Sequence, residues 1–181
     1  DAPLVLGPMD LHAGGPSRAV ARSRGPRESP LARAGAGGEG PDMHRAPVLR
    51  LLGEYLERHP GESAVVARTS ELVRTHEDCF ERTCLPGHLT GSAWIVSADF
   101  EEVLLTHHRK LGRWLQLGGH ADGDPDLLRV ALREAREESG LDRIDPFGAG
   151  GARAALLDLD IHPIPAHGGE PAHDHHDLRF L

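Results

Sequence analysis

Lysine is almost missing from this chain of 181 residues: Lys110 is the only one, and every other basic side chain is arginine. With abundant Ala, Gly and Pro, that bias points to a GC-rich genome rather than to a physical requirement. Positive charge is short overall, since the net charge is −8 with the thirteen histidines neutral. A surplus of that sign argues against a general nucleic-acid binder. No apolar run approaches the roughly 18 residues that span a bilayer, so a soluble chain with no membrane partnership is expected. Cysteine is scarce too. Cys79 and Cys84 cannot make a disulfide framework, and with no signal peptide visible, reduced thiols in a cytoplasmic protein are the default. A zinc site built from Cys79, Cys84 and His88 would lack both a close C-x-x-C pair and a fourth ligand, and is disfavoured. Aromatic residues able to stack a base are few: Trp94, Trp114, Tyr55 and four Phe.

Residues 1–42 show no period of 2 or 3.6 and are rich in Gly, Ala, Pro and Arg. Such a stretch buries too little apolar surface to offset its ordering entropy, so disorder is expected there. It also reads as a leader foreign to the natural protein, because Met43 falls where ordered-looking sequence begins. Residues 43–86 read as a helical N-terminal extension. Val48, Leu51, Leu52 and Tyr55 follow helical spacing from Pro47 to His59, and Pro60-Gly61 ends the run. A second helix is expected within 62–82, and Leu85-Pro86-Gly87 is a break. Strand character follows in Ser92–Ser97 and in its hairpin partner Glu102–His107. Trp114–Leu117 is a short strand, Ala154–Ile161 another ended by Pro163 and Pro165, and His175–Leu181 the start of one more.

Between these strands lies the most informative stretch. A helix from Pro125 to Ser139, with Asp124 as N-cap and Pro125 at N1, is predicted to stop at Gly140. Leu128, Ala131, Leu132 and Ala135 form its apolar stripe. Glu134, Glu137 and Glu138 then fall at i, i+3 and i+4, three carboxylates on one face. They crowd the negative end of the helix dipole, which disfavours anions by roughly 0.3–1 kcal/mol each. A bound divalent cation reverses the sign of that cost, because hard cations take oxygen ligands.

The segment from Gly119 to Leu141 resembles the Nudix box, G-x5-E-x7-R-E-U-x-E-E-x-G-U with U aliphatic. Gly119, Arg133, Glu134, Ala135, Glu137, Glu138, Gly140 and Leu141 match it at the correct spacing. Trp114-Leu115-Gln116-Leu117-Gly118 also resembles the family's strand into the box. The departure is Pro125, which stands where the first motif glutamate is expected. The resemblance implies an α/β fold, a Nudix-type α/β/α sandwich with a mixed sheet, over residues 87–181. Its C-terminal part would be missing, leaving an unprotected final strand and low stability. It further implies hydrolysis of a pyrophosphate bond in a nucleoside-diphosphate-linked or related small molecule, with Mg²⁺ or Mn²⁺. Glu134, Glu137 and Glu138 would be metal ligands and take part in catalysis. A carbonyl of Gly118 or Gly119 would add an oxygen, and Arg133 would hold the glutamates by ion pairing.

Outside the box, Glu170, Asp174 and Asp177 are candidates for a further ligand or base. Arg109, Lys110 and Arg113, near His107 and His108, are candidates to meet substrate phosphate, as is Glu170 for substrate binding. The run from Glu170 to Asp177 also admits a transition-metal site. Three histidines within four positions of a strand cannot all face one way, so loop or surface histidines are favoured there. Two alternatives to hydrolysis stay open: a Nudix-fold nucleotide-binding sensor or interaction module, which Pro125 favours, and an isoprenoid-diphosphate isomerase, which the intact box disfavours. A homodimer is an open option.

Overall fold

The computed structural model describes residues 4–8, 43–109, 112–147 and 154–181. Helix α1 runs Ala46–Arg58 with Pro47 in its first turn, and Val48, Leu52 and Tyr55 are its buried side chains. A 3-10 turn at Pro60–Glu62 leads into α2, Ser63–Thr75, which buries Val66, Leu72 and Val73. Both helices follow from apolar residues at helical spacing and from the Pro60-Gly61 stop. Phe80, beyond α2 in a series of turns, is buried as well.

The strands are β1 (Leu4–Pro8), β2 (Gly87–Ala93), β3 (Ile95–Val96), β4 (Glu102–His108), β5 (Arg113–Leu115), β6 (Leu117–His120), β7 (Leu156–Ile164) and β8 (His173–Phe180). They form two sheets. In one, β4 pairs antiparallel with β1, β3 and β5. The other has the order β6-β2-β8-β7 and is mixed, because β2 and β8 run parallel while the outer pairs are antiparallel.

Two expected strands change sheets partway. The stretch expected as one strand at Ser92–Ser97 leaves the mixed sheet at Ala93 and enters the other at Ile95. Between them the Trp94 N–H donates to the Phe180 carbonyl at 2.8 Å. Likewise Trp114–Leu117 divides into β5 and β6 around Gln116. An alternating pattern says which residues form strands, not which neighbour they pair with. Strand β7 also continues through Pro163 to Ile164, where proline was expected to end it. It is an edge strand, and an edge tolerates a residue without an N–H.

The final strand is not an unprotected edge. β8 lies inside the mixed sheet, with β2 on one side and β7 on the other. Within residues 1–42, expected to be disordered, Leu4–Pro8 pairs with β4 through the backbone, which needs no side-chain periodicity. The rest of that expectation lies outside the described residues.

Helix α3, Leu127–Ser139, packs on β2 and β6. It starts two residues later than predicted. Asp126, rather than Asp124, is the N-cap, its carboxylate accepting from the Arg129 N–H at 3.1 Å. Asp124 accepts from the Asp126 N–H at 2.9 Å in the preceding turn, so Pro125 lies outside the helix. Gly140 ends it in the left-handed conformation, φ 71°, as expected of a C-cap glycine.

The register fixes what each face of the mixed sheet carries. Leu89, Gly91 and Ala93 share one face with His176, Leu178 and Phe180. That face meets α3, because a Cβ on Gly91 would lie 2.7 Å from the Leu127 carbonyl. It also meets α2, since Thr69 Oγ1 and His176 Nδ1 are 2.9 Å apart. Helix α1 packs on α2 and β7. One apolar cluster joins all three helices to the sheet, so the helical segment before residue 87 shares its core with the mixed sheet. The protein is therefore mixed α/β with a mixed sheet and three helices among the described residues. The second helical layer of a complete sandwich is not seen among them. The opposite face carries His88, Thr90, Ser92, His120, His175, Asp177 and Arg179, which offer no apolar surface for a helix to bury.

Candidate functional site

Two clusters of reactive side chains flank strand β6, one on each face. On the helix side, the last turns of α3 carry Glu134, Glu137 and Glu138. A Cβ on Gly119 would lie 2.6 Å from Glu134 Cδ and 2.8 Å from its Oε2, so this carboxylate rests directly on the glycine backbone. Only a residue without a side chain allows that approach. Gly118 faces the other way, where a Cβ would lie 2.4 Å from the Ser92 Cβ. One guanidinium joins helix to strand, because Arg133 Nη2 donates to Glu134 Oε1 at 2.9 Å and to the His120 carbonyl at 3.0 Å.

The Glu138 carboxyl is raised above the ordinary carboxylate range, chiefly by desolvation. The Gly118 backbone acts against that rise and the Glu134 charge adds to it. The residue as a whole stays exposed, so the desolvation concerns the carboxyl end turned toward Gly118. Gly118, Gly119, Arg133, Glu134 and Glu138 thus meet where α3 and β6 touch, and Glu137 is exposed on the same helix end. The three carboxylates do not form a set of ligand atoms within 4.8 Å of one another; among the described residues only two triads do, His88/His173/His175 and His76/Asp78/Cys84. Arg133 holds the Glu134 carboxylate toward β6.

The other sequence candidates are scattered. Arg109 and Arg113 are exposed at the end of the β4–β5 hairpin, in the other sheet, and Lys110 lies outside the described residues. Asp174 is held by Arg68 at 3.1 Å. Asp177 is 3% exposed and accepts from four donors: Thr90 and Ser92 at 2.8 Å, Arg179 at 3.0 Å and Gln116 at 3.2 Å. With three donors on Oδ2 and one on Oδ1, buried in the strand ladder, it organises the sheet face. Glu170 lines a cavity of about 340 Å³ together with Arg82, His88, His120 and His173.

That cavity opens on the second cluster, which the local sequence did not reveal. The expectation of loop or surface histidines between Glu170 and Asp177 is corrected. His173, His175 and His176 all belong to β8; His176 turns to α2, while His173 and His175 turn to the polar face. There they meet His88 of β2 and His120 of β6, with ring centroids 4.8–5.2 Å apart. Burial lowers His175 to about 3 and His120 to about 4 and lowers His88 too; neighbouring imidazoles add to the effect at all three, and Arg82 adds to it at His120 and His88. The one local signal was the i, i+2 spacing of His173 and His175. Their partners are about 85 and 55 positions away and become neighbours only through the sheet register.

Cys79 and Cys84 are free and buried. Burial pushes their thiols up, to about 11 and about 12, and an Asp78 hydrogen bond adds to the rise at Cys84. His88 sits among imidazoles rather than in a set with these cysteines. No helix among the described residues is long and apolar enough to cross a membrane. No family model matches the chain, and no curated protein matches it either.

Proposed function

We propose that this chain is a Nudix-type, metal-dependent pyrophosphohydrolase acting on a nucleoside-diphosphate-linked or related small diphosphate. The observation that carries the reading is the seat of the Glu134 carboxylate on the side-chain-free backbone of Gly119. It joins the two ends of the box-like segment, helix and preceding strand, where a carboxylate-rich cation site is needed. The donors there are hard oxygens, which suit Mg²⁺ or Mn²⁺. Glu134, Glu137, Glu138 and a carbonyl of Gly118 or Gly119 would hold the ion. When bound, such an ion neutralises phosphate charge and acidifies a coordinated water.

The protein's own residues then have distinct tasks. Arg133 is a positioning residue that fixes Glu134 against β6. Glu138, whose carboxyl turns toward Gly118, is placed to take a proton from the attacking water. A reducing, cytoplasmic setting agrees with two buried free thiols.

Phosphate or nucleotide release from a panel of diphosphate compounds, with and without Mg²⁺ or Mn²⁺, tests the assignment. Glu137→Gln and Glu138→Gln are each expected to lower turnover by about 100-fold or more; unchanged rates would sink it. A second reading, a nucleotide-binding module without hydrolysis, is favoured by Pro125, which lies outside α3 and offers no carboxylate. Tight binding of a panel compound without turnover under any divalent ion would select it.

A further inference from the structure

We propose that His88, His173 and His175 form a binding site for a first-row transition-metal ion of the Zn²⁺ class, separate from the glutamate site. Their ligand nitrogens already lie within 4.8 Å of one another. The scaffold is rigid: His88 of β2 stands opposite His175 of β8 in the parallel ladder, and His173 is two residues along on the same face. Sites built on paired strands hold their ligands more firmly than sites on loops.

Hydrogen bonding selects the tautomer such a site needs. His173 Nδ1 is 2.9 Å from the Pro171 carbonyl, which can only accept, so the proton sits on Nδ1 and the Nε2 lone pair points away. A ring nitrogen anchored to a carbonyl while the other faces the ion is the usual outer-shell arrangement of metal-bound histidine. His173 Nε2 is 3.3 Å from His175 Nε2. Two imidazoles on a tetrahedral ion, each at roughly 2.0–2.1 Å, span about 3.3 Å.

His88 supplies the independent observation. It is 1% exposed, and neither ring nitrogen has a hydrogen-bond partner, although the Cys84 carbonyl is near enough to influence its ionisation. Buried polar atoms are rarely left so, and one left unpartnered beside two other imidazoles calls for a ligand. His88 and His173 line the cavity of about 340 Å³ with Glu170 and Arg82, so the three-histidine set has room for a fourth ligand on the cavity side. Imidazole nitrogen suits Zn²⁺, Cu²⁺, Ni²⁺ or Fe²⁺, whereas Mg²⁺ demands oxygen. A hydrogen bond between His173 and His175 explains their 3.3 Å separation equally well, but leaves both His88 nitrogens unpartnered.

The test is titration of chelator-stripped, untagged protein with Zn²⁺, followed by competition with a chromogenic chelator, and with Co²⁺, followed by its visible d–d bands. Wild type is expected to bind one equivalent at this site and to give the intense spectrum of a tetrahedral, nitrogen-rich site. His173→Ala, at a half-buried position, should keep the fold and weaken Zn²⁺ by about 100-fold, and His175→Ala likewise. The triple change of Glu134, Glu137 and Glu138 to Gln should leave this binding intact, which separates the site from the proposed hydrolytic one. If His88→Ala does not fold, the Co²⁺ spectrum of His173→Ala alone decides. Folded wild type that takes up no Zn²⁺, or Zn²⁺ binding that persists in His173→Ala and disappears in the glutamate triple variant, overturns the proposal.

Discussion

The two faces of β6 present opposite kinds of chemistry a few residues apart. On one side stand three carboxylates at the end of α3, in contact with solvent and with one arginine among them. On the other stand four imidazoles in ring contact, on strands gathered from three parts of the chain. The carboxylates are hard, charged and adjustable; the imidazoles are borderline donors fixed by backbone pairing. Oxygen donors on flexible stems suit ions that exchange with substrate, while nitrogen donors on a ladder suit an ion that stays. Arg133 links the faces, bonded to a side chain of one and to the backbone of the other.

The largest expected effect on turnover separates positioning from folding on the glutamate side. Gly119→Ala puts a Cβ into the Glu134 carboxylate, whose long stem can swing away. Turnover on a diphosphate substrate should fall by about 100-fold with the melting temperature almost unchanged. A matching loss of stability would show that the glycine serves the fold, and the functional contrast between the faces would fail.

On the imidazole face the expectation is reversed. Asp177→Ala removes the acceptor shared by Thr90, Ser92, Gln116 and Arg179, and leaves the largely buried guanidinium without one of its carboxylates. Urea unfolding should show a loss of about 3–5 kcal/mol. A loss below about 1 kcal/mol would mean that Asp158 and Asp160, also paired with Arg179, carry the charge alone.

A smaller effect checks the start of the acidic helix. Asp126→Ala should cost about 1 kcal/mol and Asp124→Ala less, if Asp126 is the cap. The reverse order would restore a helix that begins at Pro125.

The last effect concerns pH. Both cysteine thiols are raised from 9.0, to about 11 and about 12. Above pH 9 the unfolded chain gives up protons that the native one keeps. The native state binds more protons, and stability falls as pH rises through that window. Alkylation at pH 8 should be slow in native protein and fast in urea. Rapid native labelling of either thiol would contradict its burial.

How much was legible in advance depends on range along the chain. Gly140 as helix stop, the buried stripe of α1 and the gathering of Glu134, Glu137 and Glu138 at one helix end arise from neighbours within a few positions. Propensity, capping and a 3.6-residue period act at that range, so the residues announce themselves. Of the stripe expected on α3, Ala131 and Ala135 are buried, with Leu127 and Val130 in place of Leu128 and Leu132. The true cap at Asp126 was missed because Asp124 and Asp126 have the same chemistry and only geometry chooses between them. The sheet switches at Trp94 and Gln116, the central place of β8 and the meeting of His88 with His173 and His175 were not legible. Each depends on which strands pair and in what register, and a register is a property of two distant segments at once. The sequence by itself determined the stop of α3 at Gly140 and the crowding of carboxylates before it, through local energetics. Only the tertiary structure decided that a parallel pairing of β2 with β8 would bring scattered histidines together on one sheet face around the buried His88.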